Sequence, residues 1–165
     1  MKTFTETQKF RQWWLSLLIM GIAILQVYGL YQQLFIGKPF GNNPVSNEGL
    51  IMFSLIPVLI IVLFLLLRLD TKLDEEGVHF RFFPFQLNYK LKKWDEIKKA
   101  HVRQYKPILE YGGWGIRGWG KNKARNVSGN MGLQLELKNG DRLLIGTQKG
   151  EEMEKAVEEY FQVKS

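Results

Sequence analysis

The chain has no cysteine, which excludes a disulfide framework and a thiolate metal site. Histidine is almost as scarce. His79 and His101 are the only two, they lie 22 positions apart, and no helical i, i+4 pair exists to start a histidine-based metal centre. No Ser-His-Asp, Cys-His or HExxH arrangement occurs. The adjacent pairs Glu75-Glu76 and Asp95-Glu96 would face opposite ways on strands, so neither forms a shared carboxylate site. No catalytic residue, cofactor or metal ligand is therefore expected. Acidic residues are in deficit, 16 against 23 basic in 165 residues, for a net charge of +7. Full charge is missing altogether from Trp13 to Phe35 and from Leu50 to Leu67.

These two charge-free runs read as transmembrane helices. Eighteen residues at 1.5 Å each span ~27 Å, close to the ~30 Å hydrocarbon core. A buried core helix would show a polar stripe, and residues 56–67 show none. A signal peptide is the other alternative, with Lys2, Lys9 and Arg11 as its basic region. No small-x-small cleavage site follows, and the apolar run continues past signal-peptide length. Basic residues flank the outer ends of both runs (Lys2, Lys9, Arg11; Arg68, Lys72), while Lys38 alone lies between them. By the positive-inside rule both termini are cytoplasmic and the connecting loop is external. The expected organisation is a cytoplasmic segment 1–12, a first span 13–36, an external loop 37–49, a second span 50–69 and a cytoplasmic domain 70–165. Gln26 and Pro57 interrupt the spans; helix packing within the hairpin is a sufficient reason for both.

From Asp70 the pattern changes to period two. Residues 78–82, 87–92, 100–105, 124–127 and 131–146 alternate apolar and polar and predict short antiparallel strands. Asn139-Gly140 marks a hairpin. A three-residue loop with Gly140 left-handed would pair Leu135 with Leu143, Leu133 with Ile145 and Glu136 with Arg142, which keeps like with like on each face. From Glu151, the positions Met153, Ala156, Val157, Tyr160 and Phe161 follow helical spacing, with Thr147 as N-cap.

Several strands and then one amphipathic helix, together with Trp94-Asp-Glu-Ile97, Tyr111-Gly-Gly-Trp-Gly-Ile-Arg117, Asn126-Val-Ser-Gly-Asn130 before Gly132-Leu-Gln-Leu135, and Leu144-Ile-Gly-Thr-Gln148, carry a resemblance. Residues 71–163 resemble the bacterial pleckstrin-homology-like (PH-like) domains of small membrane proteins with two preceding spans. The resemblance implies a two-helix transmembrane hairpin followed by a mainly-β PH-like barrel, in the bacterial cytoplasmic membrane. No catalytic motif defines that group.

The segment Tyr111 to Lys121 is the densest in glycine and tryptophan. Gly113-Trp-Gly-Ile-Arg-Gly118 is formally GxGxxG, and Gly115 to Lys121 formally matches most of a P-loop. Both motifs need a following helix, and strand signals follow instead; Asn122 also replaces the P-loop hydroxyl. Two readings remain. The loop is a structural corner in which Trp114 or Trp119 fills the barrel, or an anion site made by Arg117, Lys121, Lys123 and Arg125. Between residues 81 and 125 twelve basic residues face three acidic ones; from 126 onward five face seven. Lys90, Lys92, Lys93, Trp114 and Trp119 are the candidates to meet an anionic leaflet. Nucleic acid is not an expected partner of a tethered domain. The sequence thus predicts a non-enzymatic binding or assembly module at the inner leaflet, taking lipid headgroups, a protein partner or a copy of itself. The alternative is an accessory subunit of a transporter or envelope enzyme acting through its helices.

Overall fold

A computed structural model describes residues 3–10 and 13–162. The chain forms two compact units, residues 11–66 and residues 1–10 with 67–165.

The first unit is a helical hairpin. Helix α1 (Trp13–Leu30) runs on into a π-helical turn (Tyr31–Phe35), and α2 spans Asn47–Leu66 with Pro57 inside it. Both are long and apolar enough to cross a membrane; most of their residues are exposed within the protein, and only Gly29 and Leu50 are buried. Gln33 orders the connection between them. Its amide donates to the Val45 carbonyl at 2.8 Å and to Asn47 Oδ1 at 3.0 Å, and its oxygen accepts from the Phe40 amide. Gly29 is where the Phe40 ring lies against α1, because a Cβ there would sit 2.8 Å from Phe40 Cδ1.

The second unit holds two open sheets and a C-terminal helix. One sheet is antiparallel, in the order β1 (Phe4–Lys9), β2 (Arg68–Leu73), β3 (Gly77–Phe83), β4 (Lys90–Lys93). The other is mixed. Its order is β5 (Ile97–Gln104), β8 (Met131–Leu137), β9 (Arg142–Thr147), β7 (Asn122–Asn126), β6 (Gly115–Arg117), with β7 parallel to β9. Neither sheet closes on itself among the described residues. Helix α3 (Pro107–Tyr111) follows β5, and α4 (Gly150–Gln162) follows β9.

Residues 4–9, assigned from sequence to a segment ahead of the first span, are the edge strand β1. Lys9 pairs with Arg68 and Phe4 with Leu73. The helical hairpin is thus inserted in the connection between two neighbouring strands: β1 ends at Lys9, α1 begins at Trp13, α2 ends at Leu66 and β2 begins at Arg68. The inward residues of β1 are Phe4, Glu6 and Gln8. The two polar ones are bonded across to the other sheet. Glu6 accepts from Thr147 Oγ1 at 2.6 Å and from the Gln148 amide at 2.8 Å, and Gln8 Nε2 donates to the Gly146 carbonyl at 2.6 Å.

The β8–β9 hairpin has the expected register, Leu133 with Ile145, Leu135 with Leu143 and Glu136 with Arg142, and Gly140 has φ +86°. Gln134, placed by pattern on a solvent face, is buried, because Arg103 from β5 folds over it at 3.1–3.2 Å. Helix α4 buries Met153, Ala156, Val157 and Tyr160 against β5, β8 and β1, and Tyr160 stacks on buried Trp94. Burying Met153 and Val157 is worth roughly 1.5–3 kcal/mol of transfer free energy each. Thr147 lies outside the helix: its hydroxyl accepts from the Lys149 amide at 3.0 Å and donates to Glu6. The strand expected at 87–92 begins only at Lys90, and residues 84–89 form a loop.

Candidate functional site

The glycine–tryptophan segment starts at the end of α3. Pro107 opens that helix and left-handed Gly112 closes it, with the Gly112 and Gly113 amides bonded back to Ile108 and Pro107. The chain then forms the β6–β7 hairpin. Gly118 is required at its turn, because a Cβ there would collide with the Asn122 carbonyl oxygen. Buried Asn126 anchors the hairpin: its Oδ1 accepts from the Gly115 amide at 2.8 Å and its Nδ2 donates to Tyr105 Oη at 3.0 Å. Tyr105 meets Tyr111 edge-to-face, and these two pack with Ala124 and Leu144.

Register separates the four cations proposed for an anion site. Arg117 is opposite Ala124, while Arg125 is opposite Ile116. Paired residues share a face and neighbours alternate, so Lys123 and Arg125 lie on one face of the hairpin and Arg117 on the other. Lys121 sits in the turn between them. Two of the four side chains are also engaged with main chain. Arg117 Nε donates to the Trp114 carbonyl at 2.8 Å, and Arg125 Nη1 donates to the Ala124 carbonyl at 2.7 Å. Burial pushes the Arg125 guanidinium below its ordinary pKa. Lys121 is exposed.

Neither tryptophan fills a core. Trp114 is half-buried, with its indole N–H on the Gly129 carbonyl at 3.0 Å, and Trp119 is 95 % exposed. Beside Trp114 runs an open groove of about 650 Å³, lined by Tyr105, Lys106, Ile108, Leu109, Glu110 and Asn130 among others. Leu109 is 79 % exposed. Glu110 fixes α3 to the sheet through Arg103 at 2.7 Å. The Arg103 bond is the main cause holding the Glu110 carboxyl below its ordinary pKa. The groove is an apolar surface with Lys106 and Glu110 among its charged lining residues, and sequence periodicity gave no sign of it because α3 is a single turn.

Lys90, Lys92 and Lys93 lie on edge strand β4, and Lys92 is 3.7 Å from Glu96. Lys93 pairs with Gly77, at the opposite end of β3 from Phe83. The β2–β3 turn gathers three further groups: the carboxylates of Asp74 and Glu76 and the imidazole of His79 offer atoms within 4.8 Å of one another. Lys72 already pairs with Asp74 of this cluster at 2.8 Å, and His79 Nε2 is 3.0 Å from the same carboxylate. Burial raises the Asp74 carboxyl, but the bonds from Lys72 and His79 outweigh it and hold its pKa at about 2. The D-x-E-x-x-H spacing across a tight turn was the available signal for this cluster.

No protein-family model matches this chain, and no curated protein matches it.

Proposed function

We propose that this protein is a membrane-anchored, non-enzymatic binding module, in which two spans hold a PH-like domain at the cytoplasmic face of the membrane. The Lys9–Arg68 pairing carries the anchoring. A strand that precedes the first span is laddered to one that follows the second, so both must emerge on the same side. The basic residues outside the spans favour the cytoplasm for that side. Strands in two sheets followed by one amphipathic helix support the PH-like reading.

Of the three ligand classes the sequence leaves open, a protein surface suits the geometry best. The proposed headgroup cations lie on different faces, while the groove beside α3 is apolar and open. A single cysteine at Leu109, introduced into the full-length chain and loaded with a thiol-directed photo-cross-linker in native membranes, is expected to capture a discrete protein band. Lys93→Cys, on β4, should capture none. Equal capture from both positions, or lipid adducts alone, would sink the protein-ligand reading.

A second reading, an accessory subunit acting through its helices, is favoured by the exposed apolar side chains of α1 and α2. Exchanging both spans for unrelated ones discriminates the two. Retained capture from Leu109→Cys assigns recognition to the domain; lost capture assigns it to the helices.

A further inference from the structure

We infer that the β3–β4 loop, residues 84–89, is a third membrane contact: Phe85, Leu87 and Tyr89 enter the interfacial layer of the leaflet from which β1 and β2 emerge. The inference rests on the reading of α1 and α2 as spans and adds to it a docked surface of the domain.

Chain connectivity sets the position of the loop. Helix α2 ends at Leu66 and β2 begins at Arg68. Two extended residues reach at most ~7 Å, and the headgroup layer on each side is ~5–8 Å thick. The Arg68 end of β2 is therefore held at the bilayer surface. Strand β3 runs antiparallel to β2, so it returns toward that surface, and its last residue, Phe83, is level with Arg68. The chain turns back at residues 84–85, which leaves the loop at the Arg68 end of the sheet.

The side chains of this loop suit an interface and are poorly suited to water. Phe85 is 63 % exposed, Leu87 67 % and Tyr89 46 %. Between the first two, Gln86 points inward: its amide donates to the Phe82 carbonyl at 2.9 Å and its side-chain oxygen accepts from the Phe82 amide at 3.2 Å. This clamp turns both flanking apolar side chains outward. Phe85 stacks on buried Phe82, which also meets Phe10, the residue after β1. An aromatic row thus runs from the loop to the residue that follows β1. Arginines hold the other side. Arg81 lies 4.6 Å over the Tyr89 ring and Arg68 5.0 Å over Phe83, and both bond Asp70, at 2.7 and 3.2 Å. Lys9 and Lys90 add exposed positive charge near this end of the sheet. Aromatic rings with basic groups beside them are the composition of an interfacial anchor on an anionic leaflet. The loop is fixed by these contacts before it meets lipid, so docking it orders little further.

The chain's lack of cysteine permits a direct test. Single cysteines are placed at Phe85, at Leu87, at Lys93 and, in the second span, at Leu59. Each full-length variant is nitroxide-labelled and reconstituted in phosphatidylcholine–phosphatidylglycerol vesicles, and label depth is read from collision with oxygen and with a water-soluble nickel complex. Labels at Phe85→Cys and Leu87→Cys are expected ~5–10 Å below the headgroup boundary, Lys93→Cys in water and Leu59→Cys deep in lipid. Because the Leu87 side chain is mostly exposed, Leu87→Cys keeps the test sound should Phe85→Cys misfold. Aqueous labels at 85 and 87 with Leu59→Cys in lipid overturn the inference and leave the spans standing. An aqueous label at Leu59→Cys overturns both. Short spin–spin distances between copies at position 87, without lipid depth, assign the loop to a second copy of the chain and also overturn it.

Discussion

Two loops of the same domain carry exposed aromatic side chains, and they are built in opposite ways. The glycine–tryptophan hairpin around β6 and β7 is held from beneath by buried Asn126, and its guanidinium groups are folded onto its own carbonyls. The β3–β4 loop is gripped by Gln86 and Arg81, whose bonds leave its apolar side chains facing out. The first is conspicuous in composition and largely engaged with itself. The second is unremarkable in composition, and strand register sets it beside Arg68, two residues after the end of α2. On the proposed reading, what a loop is near, fixed by pairing, matters more than what it contains.

That contrast can be broken most forcefully at the supports. Asn126→Ala leaves the Gly115 amide and Tyr105 hydroxyl without partners in a buried site and is expected to cost ~2–4 kcal/mol, read as a lowered thermal midpoint of the solubilised full-length protein. Leu87→Ala, on an exposed side chain, should move that midpoint within about 0.5 kcal/mol while reducing lipid contact. A large midpoint loss at Leu87 would mean the loop is structural and erase the distinction.

Next comes Asp70→Ala. Its buried carboxylate serves Arg68, Arg81 and Thr7, and both arginines are partly solvated, so a loss of ~1–3 kcal/mol is expected. Proteolysis between residues 84 and 89 should accelerate with it if Arg81 is what grips the loop. Unchanged cleavage would assign the grip to Gln86 alone.

The Glu6 clasp should be comparable or smaller. Glu6→Gln retains volume but weakens two charge-assisted bonds, for ~1–2 kcal/mol, and hydrogen exchange at Gln148 is the local readout. Unchanged exchange there would count against the clasp.

The smallest effect lies at the opposite end of β2 and β3. The Asp74 carboxyl is held at about 2, below its ordinary 3.8, so its contribution is complete above pH ~4. As pH falls, the unfolded chain takes up the proton first, and the stabilisation, about 1 kcal/mol after solvent screening, is lost between pH ~4 and ~2. Asp74→Asn should flatten that limb of an acid titration; an unaltered limb would move the linkage to another carboxylate.

The sequence made some of this legible for identifiable reasons. The β8–β9 register was readable because Leu133 and Leu135 must oppose Ile145 and Leu143 around the Asn139-Gly140 turn. Strand β1 was not readable, since two of its inward residues are Glu6 and Gln8, whose partners lie 138 or more positions away. Period two at 87–92 was real, but it continues through the loop residues Leu87 and Tyr89 before pairing begins at Lys90. The cations at 117–125 looked clustered along the chain, and alternation on paired strands is what divides them. The groove beside α3 is lined jointly by Trp114, Asn130 and Tyr105, a juxtaposition that no local pattern encodes.

The insertion of the hairpin between β1 and β2 has a consequence for biosynthesis. Phe4 leaves the ribosome before its partner Leu73, which is made only after both helices. The edge of the sheet therefore stays open until then, with Glu6 and Gln8 awaiting residues 146–148. Loop-closure entropy alone rises slowly over such a separation. On the proposed anchoring, α1 and α2 lower it further, because a pair that crosses twice returns the chain to the side from which it left. A hairpin that crossed only once would strand β1 across the bilayer from its partner, so on that reading completion of the sheet reports both crossings.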